Sequence, residues 1–319
     1  MPTDVAFIGA GGIASLHLDD LAEIDRADVV AVCDIDEETA IEAADPHDAA
    51  VFTDQETLFA EADFDALFVC LPPFAHGAPE RLAVEHGVDL FVQKPLGLDR
   101  ETVAELDALL ADSDILAQVG YEWRYGLGIE RAREILDGRD VGYVEGYWWG
   151  GVPGGEGHWW RERDKSGGQV VEQGTHIYDT LRYLAGDVER VSAAGSHRIE
   201  DAVDFPDATS ATMEHESGAI SHISTTCAAE EGKVGLEVVA EDATLQVGAN
   251  RVEGVVDGEE IDEEFEPSPY RREVEAFLDA VETRDDSSLR STYADGRRSF
   301  EVTLAVMESI DCAVVTGRE

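Results

Sequence analysis

A short apolar run, Val5-Ala6-Phe7-Ile8, stops at Gly9-Ala10-Gly11-Gly12-Ile13-Ala14, and a second run over 29–33 stops at Asp34. A strand closed by glycines and followed by leucines at helical spacing, Leu18 and Leu21, opens a β–α–β unit. Gly9 permits the tight turn and Gly11 lets the backbone approach a pyrophosphate. Ala14 takes the small position where helix packs on strand. Gly12 and Ile13 begin a helix whose unpaired N–H groups suit phosphate oxygens. Asp34 can accept both ribose hydroxyls and repels a 2′-phosphate. Its neighbours Ile35, Asp36, Glu37 and Glu38 add no positive charge. The pattern predicts a dinucleotide site that favours NAD over NADP.

The alternation continues. Apolar runs over 66–71, 90–92 and 115–119 predict further strands, with amphipathic helical patterns between them. Continuous apolar strands separated by helices imply a parallel sheet covered on both faces, hence a doubly wound α/β domain over 1–120. From about residue 142 the texture changes. Segments 143–149, 188–197, 208–214, 219–226 and 234–240 read as strands with few helices between them. They predict a mostly antiparallel open sheet in an α+β domain over 121–319. Two helices close the chain, over 270–283, with Val274, Phe277, Leu278 and Val281 on one stripe, and over 299–315.

Composition narrows the partners. The formal net charge is −47, and the acids are spread along the chain, from Asp19-Asp20 to Asp285-Asp286. With arginine favoured over lysine, this implies a surface adapted to a salt-filled cytoplasm, where molar salt shortens the Debye length to about 3 Å. No basic patch exists to displace phosphate counterions, which argues against nucleic acid. Cys33, Cys70, Cys227 and Cys312 lie far apart and read as small buried hydrophobes. No signal peptide is visible, and no apolar run approaches the roughly 18 residues of a membrane span, so a cytoplasmic protein with no membrane partner is expected.

Four further features carry chemistry. Leu71-Pro72-Pro73-Phe74-Ala75-His76 ends a strand at the carboxyl edge of the sheet, where ligands bind; His76 reads equally as a ligand contact or a plain turn residue. Gln93-Lys94-Pro95 emerges at the same edge, and Lys94 is one of only three lysines, with Lys165 and Lys233. The X-Pro bond there is a candidate cis peptide. Glycines then introduce a helix carrying His176 and Asp179, three residues apart on one face. A histidine beside a carboxylate is suited to general-base work near neutral pH. Two such groups do not make a metal site, and no metal is expected. Finally, four of the five tryptophans fall within 147–163, beside arginines, a set that suits polyhydroxylated rings or, more simply, a core or a subunit interface.

Taken jointly, Gly9-x-Gly11-x-x-Ala14, Pro72-Pro73-x-x-His76, Lys94-Pro95, Trp160-Arg161 and Gly174-x-His176-x-x-Asp179 resemble the glucose-fructose oxidoreductase / inositol dehydrogenase / rhizopine-catabolism family over essentially the whole chain. The resemblance implies a sugar or cyclic-polyol dehydrogenase with a Rossmann domain, and a homodimer or homotetramer built through the second sheet. It implies Lys94 and His176 meeting across a shared crevice, His176 as base and Asp179 beside it on the substrate. Gln93, Trp160 and Arg161 are expected against the cofactor. Tyr121, Arg124, Trp159, Lys165 and Thr175 are expected on the substrate side. Two departures stand out: the usual Glu-Lys-Pro is Gln93-Lys94-Pro95, and the usual acid before Gly-x-His is Glu172. A lyase or glycosidase using transient oxidation, and a non-catalytic NAD-binding regulator, are the competing readings.

Overall fold

A computed structural model describes residues 2–312, in two units. The first holds the residues up to Glu122 together with Pro267–Arg297. Its six strands, β1 (Thr3–Ile8), β2 (Ala27–Cys33), β3 (Ala50–Phe52), β4 (Ala66–Val69), β5 (Asp89–Val92) and β6 (Ala117–Val119), pair in parallel in the order β3-β2-β1-β4-β5-β6. The chain reverses its direction of travel between β1 and β4, so this is a doubly wound α/β sheet. β1, β4 and β5 are completely or almost completely buried, as expected for strands covered on both faces.

The helix Pro269–Thr283 belongs to this first unit, not to the second as its late place in the chain suggests. Its stripe explains why. Val274, Phe277 and Leu278 are fully buried in the same cluster as Val5, Phe7 and Phe68. Phe7, Phe68 and Phe91 form a stacked ladder across three adjacent strands, and Phe277 meets the last two edge-on with centroids 5.6 Å away. Such ring pairs contribute about 0.5–1.5 kcal/mol each beyond area burial.

The same helix carries a buried acid. Glu273 is fully buried, and neither carboxyl oxygen has a hydrogen-bond partner among the described residues. Burial first, then the nearby Glu122 and Asp20 charges, push its pKa well above the usual glutamate range. An acid whose pKa is raised by folding contributes stability that is complete below its unfolded pKa and is lost as pH rises through the folded value. Glu273→Gln, which keeps the shape and removes the charge, is expected to melt with the wild type near pH 4.5 and increasingly above it as pH rises, by about 1.4 kcal/mol for each pH unit between the unfolded and the folded pKa. Scanning calorimetry across that range checks this; a gap that stays constant with pH rules out Glu273 as the titrating group.

The second unit holds Trp123–Glu266 and the chain from Arg298 onward. Eight strands, β7 (Val141–Trp149), β8 (Val188–Ser196), β9 (Ala208–His215), β10 (Ile220–Thr226), β11 (Lys233–Ala240), β12 (Ala243–Gly248), β13 (Arg251–Val256) and β14 (Glu259–Glu264), lie in the order β14-β13-β12-β11-β7-β10-β9-β8. All neighbours are antiparallel except the interior pair β7 and β10. The apolar-run pattern does not predict β3 or the meander β12–β14. The closing helix runs over Tyr293–Asp311, and its expected end at Val315 lies outside the described residues. No helix among the described residues is long and apolar enough to cross a membrane.

Candidate active site

In the first unit the chain leaves β1 at Gly9, whose φ is 89°; a Cβ there would lie 2.3 Å from the Cys70 carbonyl oxygen, so only glycine fits. Gly11 and Gly12 face open space: a Cβ on either would meet nothing within 4 Å, and no acidic residue occupies the first turn of the helix Gly12–Ala22. The loop therefore presents bare backbone N–H groups to an incoming anion. Asp34 follows β2, accepting from Ala10 N at 2.8 Å and from Asp36 N at 3.0 Å, which fixes its carboxylate.

Gly9, Gly11, Asp34, Leu71 and Pro72 line one cleft of about 430 Å³, together with Cys33, Ile35, Asp54 and Gln55. Burial first, then Asp54 and Asp34, pushes the Cys33 thiol up to about 11, and burial pushes Cys70 higher still, so both thiols are neutral walls. Loop amides at Gly11 and a fixed carboxylate at Asp34, tied to the same loop through Ala10 N, fit the pyrophosphate and ribose of a dinucleotide. Sequence reasoning missed Asp54 and Gln55, because they follow the three-residue β3. The Asp-x-x-Thr capping pattern at 54–57, where Asp54 accepts from Thr57 N, was the available signal.

Several expected cofactor residues do other work. Ala14 and Pro73 are buried packing residues, and Gly12 and Ile13 begin the helix beside the cleft without lining it. His76 is a turn clamp: its Nδ1 lies 2.6 Å from Glu80 Oε1 and its Nε2 3.1 Å from the Leu71 carbonyl, with the side chain only 1% exposed. Gln93 points into the interior, its amide donating to His17 Nε2 at 2.7 Å. Burial lowers the His17 pKa to about 4, against the opposing charge of Glu122, so the ring is neutral. A neutral amide beside a neutral imidazole avoids a buried charge, which is the physical sense of glutamine at this position. Lys94 follows β5, partly buried, and its bond to Pro95 is cis.

The second unit carries the histidine. Gly167 and Gly168, both at positive φ, turn the chain ahead of the helix Thr175–Ala185. His176, 6% exposed, lies on Trp148 of β7 with ring centroids 5.4 Å apart and planes 16° from parallel. Asp179 does not share its surroundings. It is fully buried and takes two hydrogen bonds from Arg124, Nε at 2.8 Å and Nη2 at 2.7 Å, and a third from Ser299 Oγ. Arg182 stands 4.0 Å away and bonds Ser299 and Asp187. Three residues of spacing put both side chains near one face, but the carboxylate turns inward to arginine. Asp179 and Arg124 are thus hydrogen-bond partners of each other.

The other expected contact residues have partners of their own in the structure or are buried. Trp160 is buried against Val203, Phe205 and Cys227, and its Nε1 donates to Glu172 at 2.6 Å. Trp159 packs on the same cluster. Arg161 ties the carbonyls of Gly155 and Gly154, and Lys165 pairs with Glu162 at 2.8 Å on the surface. Tyr121, in the first unit, and Thr175, in the second, are buried.

Comparison with known proteins agrees with both halves. Residues 3–121 match the family described as "Oxidoreductase family, NAD-binding Rossmann fold", and residues 129–246 match the "GFO/IDH/MocA C-terminal domain". A D-xylose 1-dehydrogenase (NADP(+)) of Haloferax volcanii is 25% identical over 318 residues, covering 95% of this chain and 94% of that one. An inositol 2-dehydrogenase/D-chiro-inositol 3-dehydrogenase of Lacticaseibacillus casei is 36% identical over 146 residues, covering 44% and 42%. An Agrobacterium radiobacter oxidoreductase, solved with NAD+, L-tartaric acid and magnesium, shares the fold with a TM-score of 0.88 over 98% of this chain and 97% of that one, at 18% identity. With both of its units matched, the chain belongs to the GFO/IDH/MocA oxidoreductase family.

Proposed function

We propose that this protein oxidises a secondary or anomeric hydroxyl of a sugar or cyclic polyol, or reduces the corresponding carbonyl, with NAD as co-substrate. The observation that carries this reading is the Asp34-closed dinucleotide cleft in a chain of this family. Bound NAD supplies the two-electron acceptor. His176 takes the proton of the substrate hydroxyl, and Lys94 donates a hydrogen bond to the same oxygen as negative charge develops. Asp179, locked to Arg124, anchors the helix that carries His176. NAD is favoured over NADP because a 2′-phosphate would face Asp34 and Asp54, while no lysine or arginine lines the cleft. This separates the chain from the Haloferax relative, whose name specifies NADP.

The test is a panel of aldoses, inositols and sugar acids with NAD and with NADP in molar KCl, read as formation of reduced cofactor. Turnover with NAD at higher kcat/KM than with NADP is expected. Turnover without net reduced cofactor favours the transient-oxidation lyase, and faster turnover in dilute buffer than in molar KCl contradicts salt adaptation. The same reading extends to assembly. Tyr143, Trp149, Ile220 and Val239 are exposed on one face of the sheet of the second unit, a face suited to a second copy. Light scattering in molar KCl should give a dimer or tetramer; a monomer refutes it.

A further inference from the structure

We infer that Trp148 is the positioning residue for His176, its indole fixing the plane of the imidazole. The inference rests on the proposed role of His176 and starts from the alternation of β7. Val144, Gly146 and Trp148 point to one face of the sheet, while Tyr143, Glu145 and Trp149 point to the other. On the inner face Gly146 is a gap: a Cβ there would lie 2.6 Å from Ile177 Cγ2. The missing side chain lets the helix Thr175–Ala185 descend onto β7 at Ile177. The preceding residue of the helix, His176, then meets the next inner residue of the strand, Trp148. The two rings lie 5.4 Å apart and 16° from parallel.

Both partners are held by backbone that cannot easily drift. Trp148 sits in the central strand of the sheet, paired with Thr225 of β10 on one side and Val234 of β11 on the other. The backbone carbonyl of His176 accepts from Thr180 Oγ1 at 2.7 Å, inside the helix. The flat indole face restricts rotation of the histidine side chain. An imidazole with a defined plane presents its ring nitrogen to a substrate hydroxyl in one direction, and small losses of alignment at a proton-transfer site cost rate rather than binding. Trp148 is itself partly exposed, so the platform is not merely core.

The test uses Trp148→Leu, which removes the aromatic face but keeps apolar bulk, and Trp148→Phe, which keeps a face. Proton NMR of histidine-labelled protein needs no substrate; the His176 signals are assigned by their absence in His176→Ala. The expected result is a wild-type imidazole with a ring-current displacement, retained in part in Trp148→Phe and lost in Trp148→Leu. With the fastest substrate of the panel, Trp148→Leu is expected to lower kcat about tenfold with KM nearly unchanged, Trp148→Phe to restore most of it, and Trp148→Leu to cost nothing further in a His176→Ala background. His176 signals that do not respond to Trp148→Leu overturn the inference, as does an equal loss of kcat in the His176→Ala background. If His176→Ala itself leaves turnover intact, it is the base assignment that fails, and the NMR result still decides whether Trp148 orients the ring.

Discussion

His176→Ala is expected to lower kcat by about 10²–10⁴-fold, with the Kd for NAD nearly unchanged. The size follows from the work assigned to the imidazole. A positioned general base at a hydroxyl contributes that range, and no other histidine stands in its place on the helix Thr175–Ala185. Cofactor binding is expected to survive because the cleft lined by Gly9, Gly11, Asp34 and Leu71 lies wholly within the first unit. Steady-state kinetics with the true substrate, together with NAD titration by fluorescence, separates the two effects. A variant that turns over at the wild-type rate removes His176 from the chemistry. A variant that loses NAD affinity in proportion to rate reassigns it to cofactor binding.

Arg124→Met should destabilise the protein by about 3–5 kcal/mol, because it strips the bidentate partner from a fully buried carboxylate. The lower end of that range is the better expectation, since Arg182 remains 4.0 Å from Asp179 and Ser299 still donates to it. For a unit of this size, each kcal/mol moves Tm by about 2–4 °C. Adding Asp179→Asn to Arg124→Met removes the stranded charge and should recover much of the loss. Urea denaturation in molar KCl, followed at several wavelengths, measures it. The outcome discriminates between two readings of the same motif. If Asp179 holds substrate, Arg124→Met raises KM and leaves Tm alone; if Asp179 is an anchor, Tm falls first.

Much of the first unit was legible because its signals are local. The strands β1, β2, β4 and β5 are apolar runs closed by turn residues, and the turn at Gly9 follows from a steric need that shows in a few neighbouring letters. β3 was not legible: Ala50-Val51-Phe52 is three residues long and partly exposed. β14 reads Glu-Glu-Ile-Asp-Glu-Glu, which no propensity would make a strand. It forms because it is the edge of a meander, where like charges deter pairing with another chain. The helix at 269–283 was visible from its stripe, yet a stripe states only that something is covered, not which sheet it covers.

Side-chain direction was the least legible level. Spacing placed His176 and Asp179 near one face, but only the fold shows Arg124 reaching Asp179 from a segment 55 residues away. Gln93, His76 and Trp160 sit in motif positions and turn to His17, Glu80 and Glu172 instead. Each has a hydrogen-bonding or packing need that is met from outside its own motif.

The return of Pro267–Arg297 to the first unit has a consequence for biosynthesis. Until Phe277 has left the ribosome, the rings of Phe68 and Phe91 have no cover from that side. A nascent chain carrying the whole dinucleotide-binding sequence is therefore unfinished until nearly all of the second unit has been synthesised. Its apolar sheet is exposed for that interval, and a gene truncated after residue 122 would leave it so permanently, a species destined for aggregation or chaperone capture.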